Sequence, residues 1–426
     1  MLKRKSTITS FLILVGLAFS ANSQSLNARF STSFYSWESH LSEAISNNHF
    51  RIYQTARATV GQLANGHMSL HLYGQFSKDV GATVDEDAAL GLYSSYLQWK
   101  DSKGILKKAR LGRQRVYGGV GYGTMDGVDA DFNIGKQISI GGYVGLLVPY
   151  RSKIELAEWD ERHTFGARFR ISDVFRTKVL FSYMRRDRTP TPYVPDGQVS
   201  SELLEFNSKE QELAGIDLLR DFSSAVSGYG RLDYDLLQER IRRAQVELTL
   251  RPSPRLELAA EFFHRSPLLA ANSIFTVFDT ETTQDIAMRA NYALSGGWRL
   301  NGNVGLQQYS GDENIRFALG ASCKYGHVGY NFRSGYGGYN NGLFGSLSYP
   351  LRPNLSLMAS TGISRYSLLD EDGDRYTAFS SSAGFNFRPN NSLSLDLIGQ
   401  NLRTRWLDSD VRVFARANYW FFTKKE

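Results

Sequence analysis

The sequence predicts an all-β fold: a single antiparallel transmembrane β-barrel of about 22 strands, with about 18–20 as the alternative and no N-terminal plug domain. Three observations predict it. Apolar residues alternate with polar ones at period two almost throughout, which is the signature of strands. No run of eighteen apolar residues occurs, so the chain does not cross a membrane as a helix. The connections between alternating segments tend to be long on one side and short on the other, which a soluble sandwich has no reason to be.

Residues 1–23 read as a secretory signal peptide, leaving 24–426 for the barrel. Lys3, Arg4 and Lys5 form the charged region, Phe11 to Phe19 the apolar one, and Ala21-Asn22-Ser23 a small-residue cleavage site. Removing this peptide lowers the net charge from +7 to +4. The remaining positive charge is diffuse, and nucleic-acid binding gains no support from it. Cys323 is the sole cysteine, so no internal disulfide is expected and no lipid anchor at the cleavage site.

The alternation is cleanest in five segments. In Arg243 to Arg251, Ala244, Val246, Leu248 and Leu250 oppose Arg243, Gln245, Glu247, Thr249 and Arg251. Ser69 to Phe76, Phe165 to Ile171, Asp285 to Tyr292 and Trp298 to Gln307 repeat the pattern. The long connections are 37–49, 77–87, 148–162, 187–209, 266–283 and 367–374, though several fall one place out of step. Short turns include Ala64-Asn65-Gly66, Gly135-Lys136-Gln137 and Ser295-Gly296-Gly297, whose Gly and Asn content suits tight turns. A barrel this wide encloses water unless something fills it. Connections 187–209, punctuated by Pro190, Pro192 and Pro195, and 266–283, with its apolar Leu268, Leu269, Phe275 and Phe278, are candidates to fold inward; the alternative is that both stand outside.

The last strand, Val411 to Phe422, sets Val411, Val413, Ala415, Ala417, Tyr419 and Phe421 on one face and Arg412, Arg416 and Asn418 on the other. About eleven residues also suffice for a tilted strand to cross a bilayer. Turning such apolar rows toward lipid sends Arg110, Arg168, Arg170, Arg231, Arg243, Arg251, Arg289, Arg299, Arg412 and Arg416 to the lumen. A charge on the lipid face near the midplane costs about 2–4 kcal/mol, which favours this assignment. Rings of arginine favour anions. Because Asp233, Asp235, Glu247, Glu257 and Asp285 share those faces, the alternative is an ionic network bracing a hydrated wall.

The aromatic-ended strand Val411 to Phe422 resembles the C-terminal strand of outer-membrane β-barrels. That resemblance implies that it closes the barrel, that the barrel-assembly machinery reads it as a signal, and that the protein resides among outer-membrane lipids. A second segment, Leu111-Gly112-Arg113-Gln114, Gly118-Gly119-Val120-Gly121-Tyr122-Gly123 and Asp126-Gly127-Val128, resembles a pattern of porin-like and alginate-export-type barrels. By that resemblance Arg113, Gln114 and Asp126 sit at the lumen or its constriction. Read from the residues alone, the same segment is a hairpin whose glycines permit a tight bend or bulge.

No catalytic constellation, cofactor or metal site is expected. The seven histidines lack ligand spacing, and the acids Asp370, Glu371, Asp372 and Asp374 fail the EF-hand pattern. The function expected is a porin-like channel for passive diffusion of small hydrophilic solutes, with a lean toward anions and a homo-oligomer as one arrangement. Two alternatives stand beside it: an export conduit for an acidic polysaccharide, and a non-conducting barrel acting as a surface anchor or scaffold.

Overall fold

A computed structural model describes residues 25–42, 45–81, 89–189, 208–273, 281–367 and 374–423. The expected signal peptide, the greater part of connection 187–209, residues 274–280 of connection 266–283, and Asp370 to Asp372 lie outside the described residues.

The strands are β1 (Ser25–Ser42), β2 (Ile45–Leu63), β3 (Met68–Asp79), β4 (Ala89–Lys100), β5 (Leu106–Gly118), β6 (Gly121–Asn133), β7 (Ile138–Leu147) and β8 (Arg162–Val174). They continue as β9 (Thr177–Arg188), β10 (Lys209–Asp221), β11 (Val226–Asp235), β12 (Arg240–Ser253), β13 (Leu256–Arg265), β14 (Thr283–Ala293) and β15 (Arg299–Tyr309). The last seven are β16 (Asp312–Cys323), β17 (Gly326–Gly335), β18 (Tyr339–Arg352), β19 (Leu355–Ser367), β20 (Tyr376–Asn390), β21 (Leu393–Arg403) and β22 (Asp410–Phe422). Each pairs antiparallel with its sequence neighbours in one 22-stranded sheet. β1 pairs with β22 from Asn27↔Phe422 to Ser36↔Val413, so the sheet closes on itself and has no free edge. The strand number is that of the sequence reading, and the alternative of fewer strands falls.

The two rims differ as the turn pattern required. Connections after even-numbered strands run two to five residues, whereas those after odd-numbered strands reach twenty. One expected long connection, 37–49, is strand: β1 and β2 pair through it, with Trp37 opposite His49 and their rings stacked at 4.6 Å. Polar and aromatic alternation continues into this projecting hairpin, and only 43–44 separate the strands. The parity of the connections stays imperfect, since those after β1, β5 and β15 are only two residues long on the long side.

Outward rows are apolar and uncovered. Val246, Met288, Leu319 and Val411 are each more than half exposed, with Leu248, Ile286, Val304 and Val413 beside them. A contiguous apolar band of this extent around a closed sheet is stable against lipid and not against water.

Candidate functional site: the barrel interior

The interior is filled on one side by the hairpin of β5 and β6. β5 stays paired with β4 only as far as Ser95↔Arg113, and β6 meets β7 only from Met125↔Leu147. Residues 114–124 therefore pair with each other and leave the wall. Gly112 makes this possible: its φ is +118°, and a Cβ there would lie 2.3 Å from the carbonyl oxygen of Ser95. At the tip, Gly119 has φ +58° and approaches β9 so closely that a Cβ would lie 2.0 Å from Ser182 Oγ.

The tip is held against the inner wall of strands distant in sequence. Val120 N donates to Ser182 Oγ at 3.0 Å, and Arg231 Nη2 on β11 donates to the Gly119 carbonyl at 3.0 Å. Arg186 on β9 donates to the Tyr122 carbonyl at 2.5 Å and lies 4.8 Å from the Tyr122 ring centre, while the Tyr122 hydroxyl donates to Gln211 at 2.9 Å. Under the hairpin, Val116, Val120 and Met125 pack with Tyr143, Met184 and Leu213 in a dry cluster inside the barrel. Fully burying a side chain of this kind contributes about 1.5–3 kcal/mol, enough to hold the hairpin down. The opposite face of the hairpin carries Arg115 and Tyr117, both exposed.

Of the residues the motif singled out, Arg113 and Asp126 form one unit and Gln114 belongs to the other face. Arg113 and Asp126 are direct cross-strand partners and share the row of Leu111 and Val128, which face outward. Their assignment to the lumen surface is corrected: Arg113 is 4% exposed, sealed beneath connection 148–161. Its guanidinium binds Asp126 and also donates to the carbonyls of Leu92, Ser152, Lys153 and Glu155. The Leu92 carbonyl lies on the part of β4 that β5 has abandoned, and Gly91 there packs against Arg151. Connection 148–161 thus fills the opening that the departing hairpin leaves. Gln114 is fully buried, its amide donating to the carbonyls of Arg110 and Gly127, and so it too has no surface for a solute.

The predicted arginines on the apolar-alternating strands share strand parity opposite the exposed apolar residues, and most are matched by carboxylates. Asp129, which the sequence reading did not single out, gathers Lys108 (3.3 Å), Arg110 (2.6 Å) and Arg168. Asp131 adds contacts to Lys108 and Arg168, both at 3.0 Å. Arg231 pairs with Asp233 (2.9 Å), Arg251 with Glu257 (3.0 Å), and Arg289 with Glu247 (2.5 Å). Arg412 pairs with Asp410 (2.7 Å) and Arg416 with Asp396 (3.0 Å). Arg243 bonds Gln245 and lies over the Phe263 ring at 5.1 Å. Arg170 and Arg299 have no carboxylate partner among the described residues.

Other inner arginines were missed, among them Arg186 and Arg316, which bind the Tyr122 carbonyl and Asp285, and two more that lack such a partner. Arg29 and Arg57 are direct cross-strand neighbours of β1 and β2 on the inner face, both exposed, and neither has a carboxylate partner among the described residues. Arg29 donates to Asn418 at 2.7 Å and lies 5.3 Å from the Trp420 ring centre; Arg57 stands opposite Tyr73. Period two would have found Arg29, since Ala28 and Phe30 flank it on the other face.

Burial divides the interior. Gln114, Asp129, Met184, Leu213 and Asp233, on the hairpin and the wall it covers, are fully buried. On the other side the side chains of Arg251, Arg289, Arg316 and Arg416 keep 40–47% of their surface exposed. Between them β17 to β20 carry a run of small polar groups on the inner face, with Ser346 bonded to His327 and Ser360 to Ser382. In the described parts of connections 187–209 and 266–283, Ala271 N and Asn272 Nδ2 donate to the carbonyls of Glu210 and Arg188 at 2.8 Å each.

A closed sheet with an apolar outside and a wet, charged inside defines a transmembrane β-barrel of the outer-membrane type. Solved structures of the same fold include the ferric enterobactin receptor PfeA from Pseudomonas aeruginosa, determined as a point mutant, at 10% identity and a TM-score of 0.59. The siderophore receptor PirA from Acinetobacter baumannii aligns at 10% identity and 0.58; in both cases 92% of this chain and 80% of the other are covered. The outer membrane protein OpdK from Pseudomonas aeruginosa aligns over 94% of this chain and 99% of its own at 8% identity and 0.45. At such identities the likeness defines the fold alone. No protein-family model matches the chain, and no curated protein matches it.

Proposed function

We propose that the chain is a passive outer-membrane channel for small hydrophilic solutes, with a preference for anions. The observation that supports this reading is the division of the interior: the hairpin of β5 and β6 covers one side, and the inner face of β12 to β22 is polar, with Arg251, Arg289, Arg316 and Arg416 solvent-accessible on it. Solutes would diffuse down their gradient past the hairpin along that open wall. Anion preference rests on Arg29, Arg57, Arg170 and Arg299, whose charges have no carboxylate beside them among the described residues, whereas the paired arginines contribute little net field. Export through the signal peptide 1–23, reading of β22 by the assembly machinery, and association into a homo-oligomer belong to the same proposal. The rim of long connections then faces outward from the cell.

The test is planar-bilayer recording on the purified, folded protein. Stable open steps with an anion-selective reversal potential are the expected result. Silence from folded protein contradicts the channel and favours an anchor. Steps that appear only after the hairpin is displaced contradict passive diffusion and favour a gated export conduit.

A further inference from the structure

We propose that the inner face of β22, β1, β2 and β3 binds phosphate monoesters that carry a flat ring, with the phosphate held between Arg29 and Arg57 and the ring laid on Tyr73 and Tyr93. Four side chains form one cross-strand row: Trp420 opposite Arg29, Arg29 opposite Arg57, and Arg57 opposite Tyr73. Arg29 is four residues past the start of β1 and Trp420 two before the end of β22, which places the row near the short-turn mouth of the lumen. Beyond Tyr73 the ring of Tyr93 stacks at 5.0 Å and is 40% exposed. The Trp420 ring is engaged by Arg29, 5.3 Å from its centre, so Tyr73 and Tyr93 form the open platform of the row.

Like charges directly opposite one another on neighbouring strands destabilise a sheet. In three other such pairs a carboxylate offsets the repulsion. Arg316 opposite Arg333 has Asp285 at 2.6 Å, Lys108 opposite Lys100 has Asp131 at 3.0 Å, and Arg188 opposite Arg162 has Glu210 at 3.3 Å. Arg243 opposite Arg265, at the other mouth, turns to Gln245 and the Phe263 ring. Arg29 and Arg57 have no carboxylate among the described residues. Arg29 is oriented instead by Asn418, itself 2% exposed, which accepts from Arg29 at 2.7 Å and from Ser31 at 2.6 Å and donates to Ser394 at 3.0 Å. A buried amide that fixes one guanidinium beside another of the same sign is accounted for by an anion that both hold. Adjacent strands lie about 4.8 Å apart, so a single tetrahedral dianion can accept from both planar forks. A lone carboxylate fills only one. The stacked tyrosines next to Arg57 then offer a π face to a ring attached to that phosphate, as base–aromatic stacking requires. The inference rests on the channel reading for the route by which a solute reaches the row, whereas binding at the row is measured without conduction.

The test is isothermal titration calorimetry of the full chain folded in a neutral detergent, with adenosine monophosphate, adenosine and inorganic phosphate as probes. Wild type is compared with Arg29→Gln plus Arg57→Gln, with Tyr73→Leu plus Tyr93→Leu, and with the charge-neutral control Arg416→Gln plus Asp396→Asn. Wild type should bind the monophosphate at least tenfold more tightly than either adenosine or inorganic phosphate. The arginine variant should lose at least tenfold in affinity for the monophosphate, the tyrosine variant should bind it no better than inorganic phosphate, and the control should match wild type. Absence of monophosphate binding by wild type overturns the proposal, and so does an affinity that either the arginine or the tyrosine variant leaves unchanged. Wild-type affinity for inorganic phosphate equal to that for the monophosphate also overturns it, because the rings then take no part. Heat-modifiable migration on gels checks that each variant is folded. Silence in planar bilayers with binding intact contradicts the channel alone, and conduction without binding contradicts this site alone.

Discussion

Arg113 grips Asp126 with two parallel bonds of 2.8 Å, Nε to Oδ1 and Nη2 to Oδ2, at the point where β5 and β6 leave the barrel wall. The remaining guanidinium hydrogens go to four backbone carbonyls from β4 and connection 148–161. One side chain thus ties together the wall, the departing hairpin and the segment that fills the gap.

Replacing it should be costly. Arg113→Ala leaves the Asp126 charge and several carbonyls without partners, and breaking a buried pair costs about 3–5 kcal/mol. Equilibrium unfolding in lipid vesicles should register a loss of that order. Single-channel records should become larger and noisier as the hairpin loosens. Arg113→Lys should not rescue, because an ammonium cannot reproduce the planar fork.

The hairpin tip offers a gentler probe. Gly119→Ala would place a methyl 2.0 Å from Ser182 Oγ, too close for either to stay, and so lift the tip off β9. The expected outcome is increased protease sensitivity between 114 and 124 and higher conductance, with Ser182→Gly in the same chain restoring both toward wild type.

Selectivity should follow the unpaired arginines rather than the paired ones. Arg57→Glu converts the Arg29 and Arg57 neighbours into an ion pair. Unit charges at about 4 Å in water interact by about 1 kcal/mol, which corresponds to roughly a fivefold change in local ion occupancy. The reversal potential in a salt gradient should shift toward cations accordingly. The neutral exchange Arg416→Gln with Asp396→Asn should leave it in place, since that pair carries no net charge.

The two faces should respond oppositely to charge. Met288→Arg, at the centre of β14 on the outward face, should destabilise the folded barrel by about 2–4 kcal/mol in vesicle-based urea titrations. Ser360→Arg, on the exposed inner face of β19, should stay within about 0.5 kcal/mol of wild type.

Much of the architecture was legible because period two is a local property. The rows Ala244-Val246-Leu248-Leu250 and Val411-Val413-Ala415-Ala417 face outward as alternation requires, and Gly-containing turns such as Ala64-Asn65-Gly66 end the strands where turn chemistry says. The inward hairpin was only partly legible: Arg113-Gln114-Arg115 and Gly118-Gly119 interrupt the alternation and mark a bend, but nothing local says which way the hairpin turns. What bends it is the backbone at Gly112 and tertiary contact with Ser182, neither of which has a sequence period. Arg113 is instructive. It shares parity with Leu111 and not with Arg110, so alternation alone would have kept it off the lumen wall, and the motif resemblance overrode that reading. The pairing of inner arginines was likewise hidden: Arg168 meets Asp129 and Asp131 across β7, a relation set by strand register.

The central claim is that outward rows lie in lipid while the inner face is wet, and a cysteine scan of β19 from Leu357 to Ile363 in a Cys323→Ser background tests it most directly. In lipid vesicles, a charged water-soluble maleimide should label cysteines at 358, 360 and 362 and spare those at 357, 359, 361 and 363. Uniform labelling, or the opposite alternation, would contradict the account.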